Sequence, residues 1–438
     1  MVRGICLLLF SFMFFIAGSQ AQQPEVLTND GAWCWFSDPR AIYMRSENSE
    51  IITGWVDKRG SIFSASLNYR NGKKVIRKLY HELEADDHDN PAFLELPDGR
   101  ILSQYTWHGG TPKATGVIQN ITLEAGNVES FSTPEVFKPY DEELVKKYIK
   151  QTYTYANPFS LSTEQNKLYS FGRWIGYKPN MITSTDNGKT WSAPRIIVTS
   201  RQLDTNNRPY AKYYCDGKSK IHMIFTDGHP NVEPLNSVYY CYYENDAFWR
   251  ADGTRICTVV QLPFHPEDAS IVYKATTETG KAWIFDVAID KKGRPVVAYT
   301  RYPTNREHLY YYAVYDKGKW RDNFLVNSGP WFPEDEPGKE QREVNYSGGM
   351  TLDPADPSVL YFSHRINGVF EISKATTRNL GKTWKVSAIT RNSALNNVRP
   401  VVPRYKDKYS PTVLLWMQFR RYMHYTDYDS DIVYKVLE

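Results

Sequence analysis

The chain has 438 residues, a formal net charge of +4 at pH 7 and an aromatic content of 15%. Because 53 basic residues nearly balance 49 acidic ones, no strong field of one sign is present, and a nucleic-acid partner is not expected. The length allows either one large β domain or a few smaller domains.

The N-terminus has the pattern of a secretory signal. Arg3 supplies a positive charge, an apolar stretch runs from Cys6 to Ala17, and Ser19-Gln20-Ala21 is a small-residue cleavage motif. The apolar stretch is too short to span a bilayer, and no other segment is long enough. We therefore predict a signal peptide over residues 1–21 and an exported protein, periplasmic or secreted, that does not associate with a membrane.

The rest of the chain is predicted to be all-β. Short runs rich in Val, Ile, Tyr, Phe and Trp alternate with Gly, Pro, Asn and Asp, as in Lys167–Gly172 and Ile221–Thr226. Helical periodicity is restricted to a short stretch from Asp141 to Gln151. No linker interrupts the pattern, so residues 22–438 are expected to form a single domain, which we expect to be a monomer.

Two related segments indicate the architecture. Ser184–Trp191 matches the Asp-box pattern S-x-D-x-G-x-T-W, and Thr377–Trp384 is a degenerate second copy. In such a box the Asp caps a hairpin turn, the Gly adopts a left-handed conformation, and the Trp is expected to pack under the next blade. Repeated boxes in an all-β chain favour a β-propeller. The length favours seven blades, with six as the alternative.

The sequence brings two of its nine histidines together. His88 precedes the apolar run Ala92–Leu96, His108 follows the run Ile101–Tyr105, and the turn Pro97–Arg100 joins the two runs. This pattern predicts a β-hairpin whose far ends lie at one edge of a sheet. Since imidazole titrates near neutral pH, the paired side chains are candidates for proton transfer.

Several arginines are predicted at the ends of strands near the propeller funnel. A guanidinium group binds a carboxylate in a fork, so a set of arginines spread over different blades points to an anionic ligand. Each arginine taken alone is more typical of a structural salt bridge than of a ligand site. The candidates are Arg173, Arg208 with the nearby Tyr210, Arg301, Arg365 and Arg399.

A zinc site would need ligands of the kind that occur close together in sequence at His222, His229, Cys215 and Cys241. They lack the tight spacing of a zinc motif, and His222 lies inside an alternating strand, so neither a metal nor a cofactor is expected. His229 is instead predicted in a loop that faces the funnel, where it would bind substrate. The spacing of these cysteines and of Cys34 and Cys257 does not show whether any of them form disulfides.

Five segments together resemble a known family: Gly31–Ile42, Asp87–Pro91, Thr154–Pro158, Asn207–Tyr210 and Thr226–Pro230. They are similar to the BNR-repeat propellers of carbohydrate-degrading bacteria. That group includes ulvan lyases and related enzymes that act on rhamnosyl-glucuronate linkages, one subgroup of which is described as α-L-rhamnosidases. The resemblance covers most of the chain after the signal, and it identifies the superfamily better than the substrate.

The resemblance implies a set of catalytic residues: His88, His108, Tyr155, Arg173 and Tyr210. Tyr153 remains an alternative to Tyr155, and Tyr213 an alternative to Tyr210. Substrate contacts are expected from a second set, namely Asn90, Trp107, Arg208, His229, Arg301 and Arg365.

A uronate lyase removes the proton on C5 and expels the oxygen on C4, and the expected residues suit these steps. Arg173, with help from His108, would neutralise the carboxylate, while His88 and Tyr155 would act as base and acid in an order that the sequence does not give. The partner implied is an oligo- or polysaccharide that contains uronate. Alternatives are an α-L-rhamnosidase, which the lack of histidine before Tyr80 disfavours, a non-catalytic glycan-binding propeller and, more remotely, a sialidase.

Overall fold

A computed structural model describes residues 23–45, 49–108, 116–202, 204, 206–304, 307–329 and 348–437. Seven antiparallel sheets form the seven blades of a β-propeller. This confirms the predicted fold class and the seven-blade prediction over the six-blade alternative. The predicted signal peptide, residues 1–21, lies outside the described residues.

Blades 1 to 6 follow one another along the chain. The strands of blade 1 are Ala41–Tyr43, Glu50–Val56, Ile62–Asn68 and Lys74–Tyr80. Those of blade 2 are Ala92–Glu95, Ile101–Thr106, Val117–Ile121 and Glu135–Phe137. Those of blade 3 are Gln151–Leu161, Lys167–Ile175, Pro179–Ser184 and Arg195–Ile196.

Blade 4 is larger than the others. Its strands are Ala211–Cys215, Ile221–Thr226, Val238–Glu244, Ala247–Trp249, Arg255–Thr258 and Ser270–Tyr273. Blade 5 contains Lys281–Ile289, Pro295–Tyr302, Leu309–Asp316 and Lys319–Asn327, and blade 6 contains Met350–Leu352, Val359–Ile366, Val369–Thr376 and Lys385–Ala388. Short 3-10 turns lie at Asp87–Asp89, Val128–Ser130, Ser162–Glu164, Val259–Gln261 and Pro266–Asp268.

Blade 7 joins the two ends of the chain. It consists of Asn396–Val401, Thr412–His424 and Asp427–Leu437, and Glu25–Thr28 pairs with the last of these as the fourth strand. The ring is thus closed by hydrogen bonds between the first and last strands, which leaves no blade-sized gap between the chain ends.

The segment Gly31–Arg40 runs along the propeller axis, where it contacts the first strands of several blades. The Trp33 indole N–H donates to the Arg399 carbonyl of blade 7, at 3.3 Å, and the Trp35 indole N–H donates to the Ile284 carbonyl of blade 5, at 3.1 Å. The backbone N–H of Asp38 donates to Asn157 Oδ1 of blade 3, at 2.8 Å. These bonds satisfy buried polar groups and fill the centre of the ring.

Both Asp-boxes lie in turns between the third and fourth strands of their blades. In the box of blade 3, Asp186 Oδ1 accepts from Ser184 Oγ at 2.7 Å and from the Thr190 N–H at 2.9 Å, and Gly188 has a φ of 83°. The expectation that the Trp packs under the next blade is wrong. The Trp191 ring stacks on Phe137 of the preceding blade, and its indole N–H donates to Gln119 Oε1 of that blade at 3.2 Å.

Further predictions concerned a short helix, the cysteines, a zinc site and membrane-spanning segments. The predicted helix is present as Glu142–Tyr148, with Asp141 as its N-cap. The four cysteines in the described residues are unpaired. The zinc set is not brought together as a metal site in the described part of the chain, since His222 Nδ1 lies 2.6 Å from the Tyr240 hydroxyl. No helix among the described residues is long and apolar enough to cross a membrane.

Candidate active site

His88 and His108 lie against each other at one end of the propeller. His88 belongs to the turn Asp87–Asp89 that precedes the first strand of blade 2, and His108 follows the second strand. The pairing of Ala92 with Gln104 fixes the predicted hairpin and brings both ends to the same edge. The imidazole rings are stacked, with centroids 3.9 Å apart and an interplanar angle of 7°.

One carboxylate holds both imidazoles. Asp86 Oδ1 lies 2.7 Å from His88 Nδ1, and Asp86 Oδ2 lies 2.8 Å from His108 Nδ1. Because an ionised carboxylate only accepts hydrogen bonds, both Nδ1 atoms must carry hydrogen. The Nε2 atoms, on the opposite edge of each ring, are therefore the positions that can exchange protons with a ligand.

The two imidazoles have unequal surroundings. His88 Nδ1 also lies 3.1 Å from Asp87 Oδ1, and the other oxygen of Asp87 accepts from Arg399 Nη1 at 2.6 Å and from the Tyr422 hydroxyl. Burial alone would lower the pKa of His88, but Asp86 and Asp87 raise it well above its usual value. Burial and the nearby charge of His88 lower the pKa of His108 to about 4. The pair therefore carries one proton charge at neutral pH, on His88.

Arg173 extends the site into blade 3. Its side chain is buried, and its guanidinium carbon lies 5.0 Å from the centre of the Tyr155 ring and 4.9 Å from that of Tyr210. The Nε and Nη1 atoms have no hydrogen-bond partner among the residues that the structure describes. Phe36, from the axial segment, packs between the two tyrosines, with ring centroids 5.5 and 4.8 Å away. A buried guanidinium with unused donors is suited to bind an anionic group.

Tyr155 reaches this position through an irregularity in its strand. Its φ is 66°, and the register with the neighbouring strand shifts between Thr154 and Asn157. A bulky residue in the left-handed region is strained, and such strain in a bulge is typical of functional sites. The bulge turns the Tyr155 carbonyl to the Trp174 indole N–H, at 3.2 Å.

Gly172→Ala is expected to disturb this bulge. A Cβ at position 172 would lie 2.2 Å from Trp174 Nε1 and 2.5 Å from the Tyr155 carbonyl oxygen. Overpacking of this kind costs about 1–3 kcal/mol. The free energy of unfolding, measured by chemical denaturation, should fall by that amount, because either the Trp174 indole or the Tyr155 carbonyl must move. An unchanged denaturation midpoint would show that the bulge absorbs the methyl group.

Further aromatic residues surround these groups. His229 contacts Tyr210 and Trp283, with ring centroids 5.3 and 4.6 Å away, and its role in binding substrate stays a prediction. Burial and nearby cations lower the pKa of His229 to about 3, and the ring is neutral at neutral pH. Tyr425, in the last hairpin of blade 7, meets the edges of His88 and His108 at 4.9 and 5.1 Å.

Asn90 and Trp107, two residues that were predicted to contact substrate, form hydrogen bonds with the protein backbone. Asn90 is buried, and its side chain accepts from the Cys34 N–H at 3.1 Å and donates to the Ser37 carbonyl at 3.3 Å. The buried Trp107 ring donates to the Leu83 carbonyl at 3.2 Å. A role for either residue in contacting sugar stays a prediction.

Three further arginines were predicted to contact substrate: Arg301, Arg365 and Arg208. Arg301 pairs with Asp322 of blade 5 and lies between the rings of Tyr273 and Tyr311. Arg365 is exposed in a hairpin of blade 6. Arg208 is also exposed and lies two residues before Tyr210. A role for any of the three in substrate binding stays a prediction.

The rival tyrosines point elsewhere. The Tyr153 hydroxyl donates to the Pro139 carbonyl at 3.0 Å, in the region between blades 2 and 3. Tyr213 stacks on Phe171 at 4.6 Å within the core. Their positions favour Tyr155 and Tyr210 as the tyrosines of the site.

Asp86, His88 and His108 are the group of described residues whose ligand atoms lie close enough to hold a metal ion. Their geometry fits hydrogen bonding better. The stacked rings have parallel lone pairs that do not converge on one point, and Asp86 occupies both Nδ1 atoms. A four-coordinate ion needs converging ligands at about 2.0–2.2 Å.

Four residues that contact the histidine pair or its carboxylates were not predicted: Asp86, Asp87, Tyr422 and Tyr425. The first two stand directly before His88, and carboxylates next to a candidate catalytic histidine are a usable signal. Tyr422 and Tyr425 come from the last blade, far from His88 in sequence, and only closure of the ring brings them near.

Comparisons with known proteins agree with the fold. A structure described as an ulvan lyase of polysaccharide lyase family PL25 matches with 13% identity, covers 95% of this chain and 96% of that one, and has a TM-score of 0.69. A structure of such an enzyme bound to -[GlcA(1-4)Rha3S]- matches with 12% identity, coverages of 95% and 96%, and a TM-score of 0.68. The polysaccharide lyase Uly1 matches with 12% identity, coverages of 94% and 97%, and a TM-score of 0.58.

At these identities the structural likeness establishes the propeller fold alone. No curated protein matches the sequence. The model of the BNR repeat-containing family matches residues 51–328, which is more than half of the chain. The Asp-boxes, the seven blades and this match lead to one assignment: the chain is a member of the BNR repeat-containing family.

Proposed function

We propose that this protein is a polysaccharide lyase that cleaves uronate-containing glycans by β-elimination. The observation that carries the proposal is the buried Arg173 guanidinium, with unused Nε and Nη1 donors, beside a stacked histidine pair and Tyr155. A uronate lyase needs a cation for the carboxylate, a base for the C5 proton and an acid for the C4 oxygen. This cluster holds candidates for all three roles close together.

Arg173 and His88 are the cations of the scheme. As the C5 proton leaves, negative charge spreads from C5 into the carboxylate group. Donors that are already in place stabilise this charge without reorganisation. Arg173 offers two unused N–H positions, and the protonated His88 offers Nε2–H.

His108 is the base of the scheme. Because His88 already carries a proton on each ring nitrogen, it has no lone pair for another. His108 is neutral, its Nδ1–H is bound to Asp86, and its Nε2 lone pair can accept the C5 proton. This exchanges the roles of the two histidines relative to the sequence-based expectation, in which His108 helped Arg173 and His88 shared acid–base work with Tyr155.

Tyr155 is the acid. In a glucuronate ring the hydrogen on C5 and the oxygen on C4 lie on the same face, so base and acid must approach from one side. The C5–H bond breaks as the C4–C5 double bond forms, the C4–O bond breaks, and the Tyr155 hydroxyl protonates the departing oxygen. The Arg173 guanidinium, 5.0 Å from the Tyr155 ring, stabilises the resulting phenolate until a proton returns from His108.

The substrate class follows from the same groups. A rhamnose-α-1,4-glucuronate linkage, as in arabinogalactan or ulvan-like polymers, presents the carboxylate, the C5 hydrogen and the C4 leaving oxygen that this scheme needs. The similar propeller bound to a glucuronate–rhamnose oligosaccharide supports this choice. A secretory signal at residues 1–21 would place the enzyme in the periplasm or outside the cell, where such polymers occur.

The product distinguishes this proposal from hydrolysis. Ultraviolet absorbance should rise when the purified protein is incubated with ulvan or with rhamnose-capped glucuronate oligosaccharides, because β-elimination creates an unsaturated uronate. Release of free rhamnose without a rise would identify an α-L-rhamnosidase instead. Binding of both glycans with no product would indicate a glycan-binding propeller.

A further inference from the structure

The last hairpin of blade 7 reaches the turn that carries His88, at the start of blade 2. Its strands, Thr412–His424 and Asp427–Leu437, have 13 and 11 residues, whereas the second strands of the other blades have 6 to 9. Blade 1 stands between blades 7 and 2 in the ring. Tyr425, in the turn at the tip of the hairpin, accepts a hydrogen bond from the Asp87 N–H through its backbone carbonyl, at 2.9 Å. The tip is therefore fastened directly to the turn that positions His88.

The Tyr425 ring contacts both imidazoles at once. Its centre lies 4.9 Å from that of His88 and 5.1 Å from that of His108, and its plane makes angles of 83° and 79° with theirs. Because the two imidazoles are stacked with centres 3.9 Å apart, a ring that is almost equally far from both must lie beside the pair and not on an outer face. Asp86 binds the Nδ1 atom of each imidazole, and Tyr425 gives each ring a second contact.

The hairpin supports Tyr425 with contacts of its own. Arg421 and Asp427 flank the tip and form an ion pair with two hydrogen bonds, one of them 2.7 Å between Nη1 and Oδ2. His424 Nδ1 lies 2.8 Å from the Thr426 hydroxyl oxygen, and the His424 ring centre lies 3.6 Å from that of Tyr425. The Tyr425 side chain is thus held from within the hairpin while it stays partly exposed beside the histidines.

We propose that Tyr425 is a positioning residue whose ring keeps the imidazoles of His88 and His108 parallel, with their Nε2 atoms on the same side. A hydrogen bond at Nδ1 fixes one point of an imidazole and leaves the ring free to swing about that point. A second, perpendicular ring contact removes this freedom. The proton acceptor and the neighbouring donor then meet a sugar in a fixed geometry. The expected effect on the rate rests on the proposed lyase function, whereas the expected effect on the two rings does not.

Removal of the ring should lower the rate and leave substrate binding nearly intact. Tyr425→Leu is expected to lower kcat on rhamnose–glucuronate oligosaccharides by about 10- to 100-fold, the scale on which small misplacements of reacting groups act. KM should change by less than about threefold, because the lost contact is to the histidines. Tyr425→Phe keeps the ring and should retain kcat within about twofold.

Tyr409→Leu is the matched control for the rate measurement. This tyrosine lies in the loop between the first two strands of blade 7 and is 83% exposed, so its loss should change neither kcat nor KM. A normal kcat in Tyr425→Leu, or an equal loss of kcat in Tyr425→Phe, would overturn the proposal.

Crystal structures of the full chain with each substitution test the geometry without any substrate. With Tyr425→Phe, the two imidazoles should keep an interplanar angle near 7° and a centroid distance near 3.9 Å. With Tyr425→Leu, which leaves the carbonyl bond to the Asp87 N–H in place, the rings should no longer be parallel.

The structural outcome separates this role from the lyase function. A parallel pair in Tyr425→Leu would overturn the proposal, because the ring would then be dispensable for the pair. Failure of Tyr425→Leu to fold would also overturn it, because the ring would then serve the fold as a whole. Displaced rings in that variant, together with an unsubstituted protein that makes no unsaturated uronate, would instead reject the lyase function and leave the positioning role standing.

Discussion

Tyr155→Phe is expected to lower kcat/KM for eliminative cleavage by about 10³-fold, within the range of general acid–base catalysis. The substitution removes only the hydroxyl that would protonate the C4 oxygen. The phenyl ring keeps its contacts with Phe36 at 5.5 Å and Arg173 at 5.0 Å, so the site keeps its shape. The measurement is the initial rate of ultraviolet absorbance increase on rhamnose–glucuronate oligosaccharides.

Tyr153→Phe provides the matched control. The two tyrosines are two residues apart on the same strand, yet the Tyr153 hydroxyl bonds the Pro139 carbonyl away from the histidines. Its loss should leave kcat/KM within a few-fold of the unsubstituted protein. Both variants should unfold at the normal temperature. If Tyr155→Phe keeps full activity while Tyr153→Phe loses it, the acid is Tyr153 and the scheme above fails.

The fold was predictable because its signals are local. A hairpin is encoded by two short apolar runs and a Pro-Asp-Gly turn, and an Asp-box is encoded within eight residues. Such patterns repeat along the chain, so their number and spacing fix a ring of blades. The direction in which Trp191 packs was missed because it depends on contact between blades, which no local pattern records.

The candidate site was predictable only in part. The His88–His108 pair followed from a hairpin, and its neighbours in blades 3 and 4 followed from the family resemblance. The shared role of Asp86 was not foreseen, because a carboxylate two residues before a histidine is equally typical of a turn cap, and Asp86 also accepts from the His88 N–H at 2.9 Å. The contact of Asp87 with Arg399 and Tyr422 depends on ring closure.

Asp86→Asn should separate the two histidine roles through the pH dependence of kcat/KM. In the unsubstituted protein, activity should fall below about pH 4 as His108 becomes protonated, and fall again only above the raised pKa of His88. Without the Asp86 carboxylate, the pKa of His88 falls, because burial is then opposed mainly by the remaining contact with Asp87 at 3.1 Å. The alkaline limb should therefore move to lower pH.

The same substitution should lower kcat at neutral pH by at least about 10²-fold, toward the lower end of acid–base effects. An Asn amide group donates to one Nδ1 atom, which forces hydrogen onto Nε2 of that ring and gives the wrong tautomer for a base. Asp86 is a positioning residue, so KM should change less than kcat.

Glu84→Gln is the matched control for Asp86→Asn. Glu84 Oε2 accepts from the backbone N–H of His108 at 3.2 Å, not from its imidazole ring. The substitution therefore removes a nearby carboxylate and leaves the imidazole contacts in place. The alkaline limb should stay in place in this variant. If the limb also stays in place in Asp86→Asn, the charge on His88 does not depend on the shared carboxylate, and the assignment of His108 as the base would have to be abandoned.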